Sequence, residues 1–293
     1  MNSILDLQHF FFSYLESRNI TKPINELGRE EIRTYVQYLQ SSRRWPNRVN
    51  NNKDYGKLSE FTIQGKVRAI KAFWSWLLSE GDIDINPLVN FNLPTVPKNL
   101  IVILSKVQLN QLLKAIDRYT LIGARNYCIL LLLLDTGLRV SELVRISLND
   151  LDLAQRYIRV TGKGQKQRIV PIHRIAKKEL TKYINRYRPG LCEIESVYLF
   201  PVKDGEHISI NCVQQLVRRL AMKAGLQNIR CHPHIFRHTF ATSFLAKGGS
   251  SAALQEILGH ESSQTTSKYV HLQPEDLRRQ HNQYSPLEDL FDK

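Results

Sequence analysis

The chain of 293 residues is poor in sulfur, with 4 cysteines and 2 methionines. Cys128, Cys192, Cys212 and Cys231 are scattered and form no CxxC pair, which argues against a disulfide framework or a zinc ribbon. Long apolar runs are missing too. The longest, Tyr127 to Leu134, has eight residues, against about 20 for a membrane-spanning helix. The opening MNSILDLQHF shows no basic region followed by a long apolar stretch, so no secretory leader is expected and a cytoplasmic location is. No internal repeat or low-complexity tract is evident. Acidic residues are the remaining shortage: 27 Asp and Glu face 41 Lys and Arg, for a net charge of +14. At 42% hydrophobic and 23% charged, the composition is that of a globular chain rather than a disordered one. The length, at about 150 residues per domain, gives two domains.

The charge is unevenly spread. Residues 1–97 carry 12 basic and 10 acidic side chains, whereas residues 98–293 carry 29 and 17. Two stretches concentrate it. Arg43 to Lys71 holds 8 basic against 2 acidic residues, with Trp45, Tyr55 and Trp74 in or beside it, and Arg139 to Arg188 holds 13 against 4. Two basic zones on two domains suit a polyanion gripped from both sides; solubility alone is the plainer reading. The side chains expected to contact DNA are Arg43, Arg44, Arg48, Lys66 and Lys71 in the first zone, and Lys166 and Arg168 in the second.

The periodicity is mostly helical. LDLQHFFFSYLESR places Leu5, His9, Phe12 and Leu15 on one face, and EEIRTYVQYLQ does the same with Ile32, Tyr35, Val36 and Leu39. After a polar loop, Ser59 or Thr62 caps a third helix that carries Val67, Ile70, Phe73, Trp74 and Leu77 as its core stripe and stops at Gly81. NPLVNFNLPTVPK, with Pro87, Pro94 and Pro97, reads as an extended interdomain linker. The domain expectation is therefore a helical unit over 1–90, a linker over 91–104 and a larger unit over 105–273. Ser105 caps the first helix of that unit, and RNYCILLLLLDTG, apolar all round, is a buried helix ended by Gly137. YIRV and QRIVPI flank GKGQK as a β-hairpin with Lys163 near its tip, and VYLF reads as a further short strand. The fold class is mainly α with a small β-sheet (α+β).

Three constellations could carry chemistry. In TGLRVSEL, Arg139 and Glu142 lie three residues apart; they form either a structural ion pair or a guanidinium fork, oriented by the carboxylate, for a phosphate. In HPHIFRHTFAT, His234, Arg237 and His238 share one helical face. The His234–His238 spacing suits a metal, but an HExxH glutamate is absent and a permanent cation stands one residue before the second histidine. A phosphate clamp of His234 with Arg237, His238 packing beneath, is the alternative, and a purely structural helix start is the third. In LGHESSQTTSKYVH, His260 follows a helix-ending glycine and Tyr269 lies nine residues on. A phenol with a pKa of about 10 is a poor nucleophile unless cations and a bound phosphate ease its ionisation.

TGLRVSEL, TGKGQKQRIVP, HIFRHTFAT and LGHESSQTTSKYVH resemble, in their order and spacing, the motifs of the tyrosine site-specific recombinases, the phage-integrase and Xer-like family. The resemblance spans residues 137 to 271, and the N-terminal segment is similar to the family's helical core-binding domain. It implies a catalytic set of Arg139, Glu142, Lys163, His234, Arg237, His260 and Tyr269. It also implies a C-shaped clamp of two domains around double-stranded DNA at specific recombination sites. Tyr269 would attack the scissile phosphate to give a 3′-phosphotyrosine, and strands would be exchanged through a Holliday junction by a homotetramer on two sites. No ATP, metal or other cofactor would be required. No arm-binding module is recognised before the first helix, which tilts the expectation toward a Xer-like recombinase or a transposon-encoded resolvase. A type IB topoisomerase-like enzyme and a catalytically silent DNA-binding protein are the alternatives. The tail over 274–293, where Ser285–Pro286 starts a short helix with Leu287, Leu290 and Phe291 on one face, is expected to dock on a neighbouring protomer.

Overall fold

The computed structural model describes residues 2–42, 57–95, 102–259 and 274–291. It divides into two compact units, Met1–Leu100 and Ile101–Lys293, each with its own apolar core. Among the described residues no helix is long and apolar enough to cross a membrane.

The first unit is built from α1 (Asn2–Ser17), α2 (Arg29–Ser41) and α3 (Glu60–Glu80). The core stripes of α2 and α3 are those of the sequence: Ile32, Tyr35 and Leu39 are buried on one, Val67, Ile70, Trp74 and Leu77 on the other, with Val36 and Phe73 at the edge. On α1 the buried face is centred on Phe11, Tyr14 and Leu15, with Phe12 partly buried. Of the expected face, Leu15 and Phe12 lie in or against the core, and the side chains of Leu5 and His9 lie outside the described residues; Phe11 joins them, its ring meeting Tyr35 at 5.0 Å and Trp74 at 5.9 Å between centroids, edge-on contacts that add to burial. Ser59 caps α3 by accepting from the Thr62 N–H at 3.2 Å, and Gly81 closes it at φ 83°.

The proline-rich segment begins as part of this unit rather than as a free linker. Phe91 and Leu93 pack on the core. The Pro87, Phe91 and Pro94 carbonyls accept from Arg29 Nε (2.9 Å), Lys71 Nζ (2.8 Å) and Gln64 Nε2 (2.8 Å). A proline-rich strand cannot supply a hydrogen-bond ladder of its own, so the neighbouring helices supply donors.

The second unit surrounds α5 (Leu121–Thr136), which is buried from Tyr127 to Thr136 and closed by Gly137 at φ 60°. Around it lie α4 (Lys106–Lys114), the one-turn α6 (Val140–Leu143), α7 (Arg174–Lys182), α8 (Ile210–Lys223), α9 (Pro233–Ala246) and α10 (Ser251–Leu258). Ser105 caps α4 reciprocally with Gln108. A three-stranded antiparallel sheet runs in the order β1 (Leu151–Asp152), β2 (Tyr157–Thr161), β3 (Gln167–Pro171). Thr161 faces Gln167 across the hairpin, so residues 162–166 form its loop, closed by Gly162 N–H to Lys166 C=O at 2.8 Å. VYLF does not form a regular strand. It contributes a single bridge, Tyr198 to Ser147.

The tail forms α11 (Pro274–Tyr284) and α12 (Pro286–Phe291). In this single chain the apolar face of α12 sits on its own unit: Leu287 is fully buried and Leu290 partly buried in the core around α5. Docking on a neighbouring protomer calls for a second chain and is not addressed by this seat. The cause of the seat is polar as much as apolar, because Ser285 Oγ donates to Asp135 Oδ1 at 2.6 Å and His281 Nε2 donates to the Asp135 carbonyl at 2.6 Å, all three residues being fully buried. Leu287→Ala is expected to destabilise the second unit by about 2–5 kcal/mol, by the same amount at every protein concentration in denaturant unfolding. A loss that shrinks on dilution would mean that Leu287 is buried only against a second chain.

Candidate active site

The chain turns sharply between α5 and α6, and Arg139 occupies the N-cap of α6 with extended backbone. Glu142 is the third residue of that turn. Its Oε2 accepts from the Arg139 backbone N–H at 2.8 Å while its Oε1 accepts from Arg139 Nη1 at 3.0 Å. A one-turn helix cannot hold itself, so this carboxylate is its N-terminal lock. A second arginine comes from β3: Arg168 Nη1 and Nη2 each donate to a Glu142 oxygen at 3.0 Å, and its Nε donates to the Ile257 carbonyl at 2.8 Å. The third, Arg237 on the second turn of α9, donates from Nη1 to the Gly137 carbonyl at 2.7 Å and from Nη2 to the Leu258 carbonyl at 2.9 Å.

These contacts have one physical origin. The last carbonyls of a helix lack intrahelical partners and carry the negative end of its dipole. The end of α10 offers Ile257, Leu258 and Gly259 in succession, and Arg168, Arg237 and Arg139 take one each, the last at 3.5 Å. Gly137 is required twice over: its φ is positive, and a Cβ there would stand 2.8 Å from both Phe240 and Leu258 side-chain atoms.

The electrostatics follow the geometry. Burial alone would raise the Glu142 pKa, but hydrogen bonding and charge from Arg168, then the Arg139 N–H and guanidinium, hold it below the ordinary 4.5. Burial, with Arg139 adding to it, lowers Arg237 to about 10, which leaves it fully charged at neutral pH. Three guanidinium groups against one carboxylate make a cationic site whose outermost member is Arg139, 39% exposed at the side chain. Such a site favours an anion with several oxygens. His234, one turn before Arg237, is exposed; burial first, then Arg237, His238 and Arg139, lower its pKa from 6.5. At neutral pH it is therefore an uncharged imidazole able to donate or accept.

Arg139, Glu142, Arg237 and His234 are thus brought together at the ends of α5, α9 and α10. Lys163 lies in the hairpin loop. His260 and Tyr269, like Arg43, Arg44 and Arg48, lie outside the described residues. His238 is exposed and does not pack beneath the clamp, and among the described residues no group of three or more His, Cys, Asp or Glu could hold a metal. Two expected DNA contacts are otherwise engaged. Lys71 is bound to the Phe91 carbonyl, and Arg168, 12% exposed at its side chain, is taken up by Glu142 and Ile257. Lys66 lies 4.0 Å over the Phe10 ring, and Lys166 is exposed at the end of the hairpin loop. The role of Arg168 was not separable in the sequence from that of its basic neighbours, because Glu142 is 26 residues away.

The profile described as "Phage integrase family" matches residues 103–276, more than half of the chain. The tyrosine recombinase XerC of Bacillus pumilus (strain SAFR-032) is 32% identical over 294 residues, covering 96% of this chain and 96% of its own. The chain belongs to the phage integrase family of tyrosine site-specific recombinases. Among solved structures, the crystal structure of XerA recombinase is 28% identical with a TM-score of 0.50, over 97% of this chain and 91% of its own. That of the Tn1549 transposon integrase in complex with circular intermediate DNA shares the fold at a TM-score of 0.66 and 24% identity, over 89% and 87%. This recombinase is accordingly an enzyme, with the mostly helical fold and small sheet that the motifs implied.

The depressed pKa of His234 carries a testable consequence. An anion bound beside it raises that pKa, so binding of a short DNA duplex on the acid side of neutrality is expected to take up protons. Calorimetry in buffers of different ionisation enthalpy measures the uptake, which should fall in His234→Gln. An uptake unchanged by that substitution would place the titrating group elsewhere.

Proposed function

We propose that this recombinase cuts and rejoins DNA at specific sites through a covalent phosphotyrosine intermediate. The observation that carries the reading is the Arg139–Glu142–Arg237 cluster at the meeting of three helix ends, beside a hairpin that bears Lys163 in its loop. The Tyr269 phenolic oxygen attacks phosphorus, the bond from phosphorus to the 5′-oxygen breaks, and a 3′-phosphotyrosine and a free 5′-hydroxyl result. The tyrosine proton passes to a histidine, His234 or His260, and Lys163 protonates the departing 5′-oxygen. Arg139 and Arg237 stabilise charge on the equatorial oxygens as the transition state forms, with Glu142 fixing the clamp. The phosphoester retains the energy of the broken bond, so attack by the 5′-hydroxyl of a partner strand reverses the step with no other energy source.

Two such exchanges in sequence pass through a Holliday junction and call for four protomers on two duplexes. The relatives are named recombinases and one neighbour was solved with circular intermediate DNA, which supports DNA as the partner and strand exchange as the outcome. Integration, excision and resolution are the same chemistry on differently placed sites.

Tyr269→Phe is expected to abolish the covalent adduct on a nicked duplex while leaving DNA affinity nearly unchanged, since one hydroxyl and no charge is lost. An adduct that persists would move the nucleophile, for example to Tyr284. Lys163→Ala should cleave an ordinary phosphodiester slowly but recover when the bridging 5′-oxygen is replaced by sulfur, because a thiolate leaves without a proton. Equal defects on both substrates would remove the general-acid role. Strand exchange between two sites, set against supercoil relaxation on a plasmid without one, separates recombination from topoisomerase-like activity.

A further inference from the structure

Arg168 belongs to the strand that leaves the Lys163 loop, pairs across the hairpin with Val160, and reaches into the catalytic cluster. One edge of its guanidinium spans both oxygens of Glu142 at 3.0 Å, and its Nε reaches the Ile257 carbonyl at 2.8 Å. The neck of the loop lies directly against this pair: a Cβ on Gly162 would stand 3.6 Å from Arg168 Nη1 and 4.0 Å from Glu142 Oε1. Gly259 closes the other side, where a Cβ would meet Arg168 Cδ and Nε at 3.1 Å. Arg168 therefore touches the three segments that carry Arg139, Lys163 and, immediately after Gly259 in sequence, His260.

We propose that Arg168 is a positioning residue and not a DNA contact: it holds the Glu142–Arg139 clamp and the end of α10 in one register, and the rate of strand cleavage depends on that register. The inference rests on the strand-cleavage reading above. A planar fork suits the task, because three donors in fixed geometry grip two carboxylate oxygens and a carbonyl together, which a single ammonium cannot do.

The test is single-turnover adduct formation on a nicked duplex by the full-length protein, alongside DNA affinity, for the wild type, Arg168→Lys, Arg168→Gln, Glu142→Gln and the Arg168→Gln, Glu142→Gln pair. Arg168→Lys and Arg168→Gln should both slow cleavage by about 10- to 100-fold, with affinity within about threefold of wild type. The paired variant should fall little below Glu142→Gln alone, since both act through one carboxylate. A bridging-sulfur substrate should not restore the rate, which separates the clamp from leaving-group protonation. Affinity falling in step with rate, full activity in Arg168→Lys, additive losses in the pair, or rescue by sulfur would each overturn the proposal. If thermal unfolding shows that Arg168→Gln does not fold, Arg168→Lys, which keeps the charge, decides. A wild type that forms no adduct would instead overturn the strand-cleavage reading, and the role of Arg168 with it.

Discussion

The catalytic unit depends on one buried carboxylate. Glu142 is 6% exposed at its side chain, and an ionised group so placed persists only if it is paired and hydrogen-bonded. Both of its oxygens are engaged, by the backbone and side chain of Arg139 and by the fork of Arg168. Removing one partner of such a cluster typically costs about 3–5 kcal/mol, because a buried charge is left unmatched. That penalty is what forces α6, the hairpin and the turn after α5 to share one arrangement. The surplus of cations over the single carboxylate then points outward, where Arg139 is partly exposed.

The second constraint is the unpaired carbonyls at helix ends. A chain burying the C-terminus of α10 must satisfy Ile257, Leu258 and Gly259 from elsewhere, and arginines do so while keeping other donors for an anion. A buried helix end needs donors, and Arg237 supplies them at two helix ends. It is 8% exposed, with one donor on the end of α5 and another on the end of α10. The aromatic and leucine packing around Gly137 leaves no room for a side chain there, so the two helix ends approach closely enough for a single guanidinium to span them.

Much of this was legible in the sequence, for reasons that are local. The stripes of α2 and α3, the Ser59 and Ser105 caps, the all-apolar α5 ended by Gly137 and the hairpin around Lys163 each follow from periodicity or turn chemistry within a few residues. Arg139 with Glu142 is an i, i+3 pair, and Arg237 with His234 another. What the sequence did not disclose depends on long-range partners. Arg168 and Lys71 look like any basic residue in a basic stretch until Glu142, Ile257 and the Phe91 carbonyl are seen beside them. Phe11 joins the core of the first unit through rings on two other helices, contacts that the periodicity of α1 alone does not disclose. The segment VYLF has strand composition, but only Tyr198 finds a bridge.

The tail extends the same lesson to a whole element. A six-residue helix with one buried and one partly buried leucine has too little apolar surface to fix its own register, and on hydrophobicity alone it could slide along α5. Polar groups remove that freedom. Asp135 Oδ1 accepts from Ser285 and Oδ2 from the His173 N–H at 2.7 Å, the Asp135 carbonyl accepts from His281, and Lys247 binds the Ser285 carbonyl at 2.9 Å. His173 Nδ1 accepts from the Ile175 N–H, which leaves Nε2 as the donor to Glu288 on α12. A shift by one residue would strand several buried polar groups at once, each costing about 1–3 kcal/mol. Asp135 lies four residues before Arg139, at the helix end whose Gly137 carbonyl receives Arg237. The tail and the arginine clamp are thus both anchored to the C-terminal end of α5, two residues apart.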